Sequence, residues 1–393
     1  MTATLDDVTK RRQADESDEP RSARGRMRQT HRSSVLDQSL LTVLKTASRW
    51  HVERGSDGDH ANSPMDLRQR IGPCYRVVGH DGRMPQTLML TRSDLRRCVD
   101  VTKLASELRD AFGGYQETDD AQRVRVPVDA QLTAMVLVPG MAGGIPAYTV
   151  KVHAKNPARH PALLGVICLH DLHTGDLLAL LDSGWITSVR TGVGAALGTQ
   201  VLARLGGNAV GVIGAGAQGR SQLTALAALR PIESVAVFDI DPHMSSVFSE
   251  QMSDVVGTPV RVARDVKDVA CSSDILLVAT WSRTPVLDRD DVSAGAHITS
   301  LGADEPGKVE LSPQLLSEAL VVTDDQRLAS PVLRDVSTSL SRVLRGEHPG
   351  RRCDDEVTVY SPVGLPLQDC VAAWHAYQRA ADLGLGTQID LED

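Results

Sequence analysis

The sequence predicts an α/β protein, with a β-rich unit in its first half and a parallel sheet in its second. Three observations carry this. From Asn208 onward short apolar runs alternate with helical patterns, the order that builds a parallel sheet. Between residues 122 and 182 polar and apolar residues alternate singly, as in Arg123-Val124-Arg125-Val126 and Tyr148-Thr149-Val150-Lys151-Val152. Third, the apolar run Val210 to Ile213 leads straight into Gly214-Ala215-Gly216-Ala217-Gln218-Gly219 and then into a helical pattern. That strand, glycine turn and helix are the opening of a Rossmann-type domain.

Size and composition bound the answer. At 393 residues the chain has room for two cores. A formal net charge of -8 excludes a protein that wraps nucleic acid, which needs cations to displace phosphate counterions. No run approaches the roughly 18 apolar residues of a membrane span, and the first residues lack the apolar core of a secretory signal. Cysteines without a C-x-x-C pair suit a reducing compartment. A cytoplasmic protein is expected, with neither nucleic acid nor membrane as partner.

Taken in order, residues 1–87 form a disordered or extension region: residues 1 to about 33 are polar and expected to be disordered, the spacing of Val35, Leu36, Leu40, Val43 and Leu44 is that of a short amphipathic helix, and Arg54 to Pro64 reads as a linker. Leu88, Met89 and Leu90 open the folded part, and Ser93 is placed to cap a helix from about Asp94. Val101 to Phe112 reads as a helix that stops at Gly113 and Gly114. In the β-rich region, alternation sets Tyr148, Val150, Val152 and Ala154 on one face and Thr149, Lys151, His153 and Lys155 on the other. Lys151 is therefore expected to point away from the apolar side. Asp182 to Leu205 reads as a helix despite Gly192, Gly194 and Gly198, each costing roughly 1 kcal/mol against Ala. Something must approach that helix closely. Strands are expected at Ala209–Ile213, Ser234–Phe238, Asp274–Ala279, His297–Leu301 and Ala319–Val322, with a strand-like Val357 to Tyr360 and a helix near Asp369 to Ala381. The expected division is 88–204 with 324–393 as one domain and 205–323 as the other.

The chemistry follows from the turn. Gly214 permits a tight bend, Gly216 lets a pyrophosphate approach the backbone, and Gly219 lets helix pack on strand. Asp239 follows the end of the next strand at Phe238, 20 residues after Gly219, where an acid accepts hydrogen bonds from ribose hydroxyls and repels a 2'-phosphate. NAD is the expected cofactor. Arg190, one turn after Thr187, can grip a carboxylate with its guanidinium fork. Asp304 lies in the loop beyond the strand that ends at Leu301, and ligands of open α/β sheets bind at such loops, so it is a candidate acid or base. His170-Asp171-Leu172-His173 has no further ligands grouped around it, and no metal is expected.

Several stretches together resemble the ornithine cyclodeaminase and mu-crystallin family: LMLTRSDLRRCVDV at 88–101, PAYTVKVHAKNP at 146–157, TGDLLALLDSGWITSVRTG at 174–192, VIGAGAQG at 212–219 and GADEPGKVEL at 302–311. The resemblance implies a homodimer in which the β-rich N-terminal part, completed by the C-terminal tail, is the dimerisation and substrate domain, and the Rossmann domain holds NAD. It makes Lys151 and Arg190 the substrate-carboxylate and catalytic positions, Asp304 the acid that handles the amine, and Arg123 or Arg125 an upstream arginine. Ala217, Gln218, Asp239 and Thr280 become cofactor contacts beside the glycines, Thr191 and Leu301 adjoin them, and Val363 lies where the tail closes over the site. Two departures stand out: Val166, where the family often has threonine, and the proline-rich Pro362-Val363-Gly364-Leu365-Pro366. The implied activity is a cyclising deamination of an amino acid through an imine, with ammonia released. The alternatives are an imine reductase or amino acid dehydrogenase, and a non-enzymatic binding protein of the crystallin kind.

Overall fold

The computed structural model describes residues 86–117, 124–126, 134–156, 159, 163–302 and 307–391. The chain divides into Met1–Gly72 and Pro73–Asp393, and every described residue falls in the second unit. Residues 1–85, Arg123 and Asp304 lie outside the described residues.

The first sheet holds β1 (Thr87–Leu90), β2 (Val124–Val126), β3 (Ala134–Met141), β4 (Ala147–Lys155), β5 (Leu163–Asp171) and β6 (Leu177–Asp182), with β15 (Thr387–Ile389) from the far end of the chain. Its order is β15-β1-β6-β5-β4-β3-β2. Because β15 pairs antiparallel with β1, the C-terminal tail completes this sheet, as expected. Helices α1 (Arg92–Cys98) and α2 (Val101–Gly114) follow β1. The cap of α1 is Thr91 rather than Ser93: its hydroxyl and the Asp94 carboxylate satisfy each other's backbone N–H groups.

The second sheet is wholly parallel. It contains β7 (Ala209–Ile213), β8 (Ser234–Phe238), β9 (Val260–Val262), β10 (Ile275–Val278), β11 (His297–Ser300), β12 (Leu320–Thr323), β13 (Ser337–Ser339) and β14 (Thr358–Tyr360), in the order β13-β12-β14-β11-β10-β7-β8-β9. The expected boundary at 323 therefore needs correction, since the sheet runs on to Tyr360 and β14 lies between β11 and β12. β13 has three residues, too few for a periodic signal, and the strand-like run Val357 to Tyr360 carries in itself no sign of which sheet it joins.

Helix α3 (Ser183–Leu202) joins the two sheets. It starts where the Asp182 carboxylate accepts the Trp185 N–H, and its buried residues go round the whole helix. The three glycines each meet a neighbour: a Cβ at Gly192 would collide with Ser221 on α4 (Ala217–Leu229), one at Gly194 with Gln368, and one at Gly198 with the Tyr360 ring. The close approach required by the sequence is thus made by three different partners. Gly198→Ala is expected to destabilise the fold by about 1 to 3 kcal/mol. The gain of ~1 kcal/mol in helix propensity is outweighed because Tyr360 is fully buried and its ring cannot withdraw. A lower urea midpoint with an unchanged slope is the signature. The remaining helices are α5 (Pro242–Val256), α6 (Val266–Cys271), α7 (Pro313–Glu318), α8 (Pro331–Arg334), α9 (Leu340–Leu344) and α10 (Pro366–Leu383).

Candidate active site

Strand register fixes where Lys151 sits. Leu90, Leu181, Ile167, Lys151 and Val138 stand side by side across β1, β6, β5, β4 and β3, and all five are buried. Lys151 thus belongs to the core face of the sheet, which corrects the expectation that it points away from the apolar side. Alternation reports which residues share a face but not which face is covered, and here both faces are apolar. The same register sets Val166 opposite Val152, on the other face from Lys151. Arg125 on β2 stands opposite Val136, which stands opposite His153, the set of positions to which Lys151 belongs.

A buried ammonium needs an anion, and α10 supplies one in its first turn. Asp369 Oδ2 lies 2.6 Å from Lys151 Nζ, and Asp369 Oδ1 lies 3.1 Å from Arg190 Nε. Burial alone would raise the Asp369 carboxyl, but the Arg190 and Lys151 cations outweigh it and hold the group below the usual carboxylate range. Next to it, Gln368 Oε1 accepts both Arg190 Nη1 at 2.8 Å and the Leu365 N–H at 2.9 Å. Arg190 and Lys151, 39 residues apart in sequence, thus meet on one carboxylate.

The link from β14 to α10 passes over this cluster. Asp324, fully buried at the end of β12, accepts the Val363 N–H at 2.6 Å and the Gly364 N–H at 2.8 Å. Desolvation pushes its carboxyl up. Gly364 has φ +87°, and a Cβ there would stand 2.9 Å from Arg190 Nη1; only glycine lets the strap lie so near the guanidinium. Val363 itself is half-buried. Pro366 closes the strap at the start of α10, a position that suits proline because no helical N–H is lost.

Along the carboxyl edge of the parallel sheet, in sheet order, lie Asp324, Val363, Gly302, Thr280, Gly214 and Asp239. Ligands of open α/β sheets sit outside this edge. Gly214 takes φ +101°, and a Cβ would strike the Ala279 carbonyl; one on Gly219 would strike the Gly214 carbonyl; around Gly216 there is nothing within 4 Å. Gly216 also begins α4 without a side-chain cap, so the helix N–H groups face open space. Asp239 is held by the Ala215 N–H at 2.7 Å and the Asp241 N–H at 3.0 Å. Open backbone, uncapped helix and oriented acid fit a dinucleotide. Ala217 is exposed beside the turn, and Gln218 has a buried, unpaired Oε1.

Thr280, expected as a cofactor contact, also holds the structure together. Its N–H and hydroxyl donate to Glu310 Oε1 at 2.6 and 2.9 Å, while Glu310 Oε2 accepts Ser300 Oγ and the Gly302 N–H, both at 2.7 Å. One buried carboxylate thus ties the ends of β10 and β11 together where the loop bearing Asp304 departs. Leu301 continues the ladder through its N–H to Val278, and Thr191 donates to the Thr187 carbonyl at 2.6 Å. His170 stacks on Tyr148 at 4.9 Å, and Asp171 accepts the N–H groups of His173 and Thr174.

The family model for the ornithine cyclodeaminase/mu-crystallin family matches residues 85–384. The chain belongs to this family. Its relatives include a Δ1-pyrroline-2-carboxylate reductase of Thermococcus litoralis, solved with NADH and L-proline, which is 29% identical with a TM-score of 0.71 and aligns over 77% of this chain and 100% of its own. An archaeal alanine dehydrogenase dimer with bound NAD is 26% identical with a TM-score of 0.71, over 78% and 99%. The L-lysine cyclodeaminase of Streptomyces rapamycinicus is 28% identical over 78% of this chain and 96% of its own.

Sequence reasoning about this family member missed Asp369, Gln368, Asp324 and Glu310. A signal existed for the first two: a Gln-Asp pair interrupts the otherwise apolar start of α10, from Leu365 to Ala373. Glu310 lies within the quoted GADEPGKVEL stretch, although its structural part was not read from it, and for Asp324 the sequence held no comparable mark.

Proposed function

We propose that this chain moves hydride between NAD and the Cα of a small α-amino or α-imino acid, with cyclising deamination of a diamino acid as the first reading and net reduction of an imine as the second. The chain is an NAD-dependent enzyme. The observation that carries the reading is the meeting of Lys151 and Arg190, from different elements, under the strap that leaves the carboxyl edge of the parallel sheet. A guanidinium fork and an ammonium beside each other suit one substrate carboxylate. Bound NAD supplies the hydride acceptor and donor. Arg123 or Arg125 adds a third cation. Asp304 takes the proton from the substrate amine in the oxidative direction and returns it to the imine nitrogen in the other. The second reading draws support from relatives named as a pyrroline-carboxylate reductase and an alanine dehydrogenase, the first from a lysine cyclodeaminase.

The two differ in balance. Cyclising deamination closes a ring C–N bond and frees one ammonia with no net oxidation, whereas reduction consumes one NADH per product. L-Ornithine and L-lysine with catalytic NAD, and Δ1-pyrroline-2-carboxylate or pyruvate plus ammonia with NADH, are the assays. Ammonia equal to cyclic product without accumulated NADH is the expected result; stoichiometric NADH loss selects the reductase. Tight binding of such acids without turnover in any assay would leave only a binding protein.

We also propose a homodimer. Met89, Leu180, Cys168, Val150 and Pro139 line up across the face of the first sheet opposite Lys151, and all are partly or fully exposed. Such a row calls for a cover, and the dimeric alanine dehydrogenase supports a second copy of the chain as that cover.

A further inference from the structure

We propose that Asp369 is a positioning residue, whose carboxylate keeps Lys151 an ammonium and fixes Arg190 beside it so that both cations meet one substrate carboxylate. This deepens the reading above and rests on it. Lys151 is 2% exposed, Arg190 6% and Asp369 1%. Two buried cations held on one carboxylate repel each other and are poorly solvated, and the lysine is the one that can shed its charge. Asp369 opposes this by dividing its oxygens, Oδ2 to Lys151 and Oδ1 to Arg190. It can do so because Gln368 presses against Gly194, bringing the start of α10 down onto α3.

Further described ionisable groups lie around the pair. His153 on β4 and Cys370 on α10 lie within electrostatic reach of Asp369. Asp324 faces Arg190 and Tyr360 from the end of β12, with its oxygens on the Val363 and Gly364 N–H groups. Arg125 shares the register set of Lys151 on β2. Of the described carboxylates, Asp369 is the one in contact with both cations.

The sign follows from linkage. With Asp369 neutral, burial and Arg190 lower the pKa of Lys151 from the ordinary value of about 10.4. Its ammonium form then exists only below that lowered pKa and is lost as pH rises through it. The probe is pyrrole-2-carboxylate, whose carboxyl stays ionised above about pH 7, titrated by calorimetry into the NAD-saturated full chain between about pH 7 and about pH 10. Wild type and Asp369→Glu are expected to bind with a flat pH dependence. Asp369→Asn should lose at least about tenfold in affinity across the range, and Asp369→Asn with Lys151→Arg should be flat again, because arginine keeps its proton. A flat profile for Asp369→Asn alone overturns the inference, since a merely structural ion pair would move stability and not this profile. No binding by wild type at any pH removes the underlying reading as well. If Asp369→Asn does not fold, Lys151→Arg in the wild-type background decides: matching flat profiles support the inference, and a wild-type affinity that falls with pH while Lys151→Arg stays flat overturns it.

Discussion

Replacing Asp304 with asparagine is expected to lower turnover by about 10²- to 10⁴-fold, the range for loss of a general acid–base group, and to leave NADH affinity unchanged. The proposed reaction puts hydride on carbon and a proton on nitrogen, so some group must hold that proton at the site. Asn matches the size of Asp but has no proton to exchange near neutral pH. The loop that carries it leaves the sheet at Gly302, whose N–H is fixed by Glu310, and Glu310 in turn is fixed by Thr280 and Ser300. The substitution leaves these anchors untouched, and Gly214 to Gly219 lie on a different strand end. Fluorescence titration with NADH, set beside turnover of the same preparation, separates the two effects. An asparagine variant with wild-type turnover removes Asp304 from the mechanism.

The second large effect is expected at the glycine turn. Gly214→Val should abolish NAD binding and destabilise the protein by about 2 to 6 kcal/mol, combining roughly 1–3 kcal/mol for a side chain at positive φ with roughly 1–3 kcal/mol for overpacking. The backbone there has φ +101°, and a Cβ points into the Ala279 carbonyl at the end of the neighbouring strand. Gly216→Ala is the counterpart that separates fold from function. Nothing lies within 4 Å of its Cβ position, so stability should hold while NADH affinity falls, because the methyl group fills the space a pyrophosphate needs. If Gly216→Ala binds NADH like wild type, the phosphates do not pass over that residue.

Much of the parallel domain was readable because its signals are local. The strand, the three glycines, the helix and Asp239 all fall between Ala209 and Asp239, and each acts through the geometry of a few neighbouring residues. The start of α3 at Asp182 was similarly close at hand. Lys151 shows the boundary of such reading: its motif marked it out, but alternation assigned it to the wrong side. The sheet is apolar on both faces, and only the helices packed against one of them distinguish core from surface.

By itself, then, the sequence determined the α/β class, the dinucleotide turn and the resemblance to its family, all of which depend on backbone preferences and side-chain chemistry within short spans. Tertiary structure alone decided which face of the first sheet is buried, that β14 enters the middle of the parallel sheet, and that Asp369 is the counter-ion of Lys151 across a separation of 218 residues. The physical reason is that charge compensation depends on distance in space.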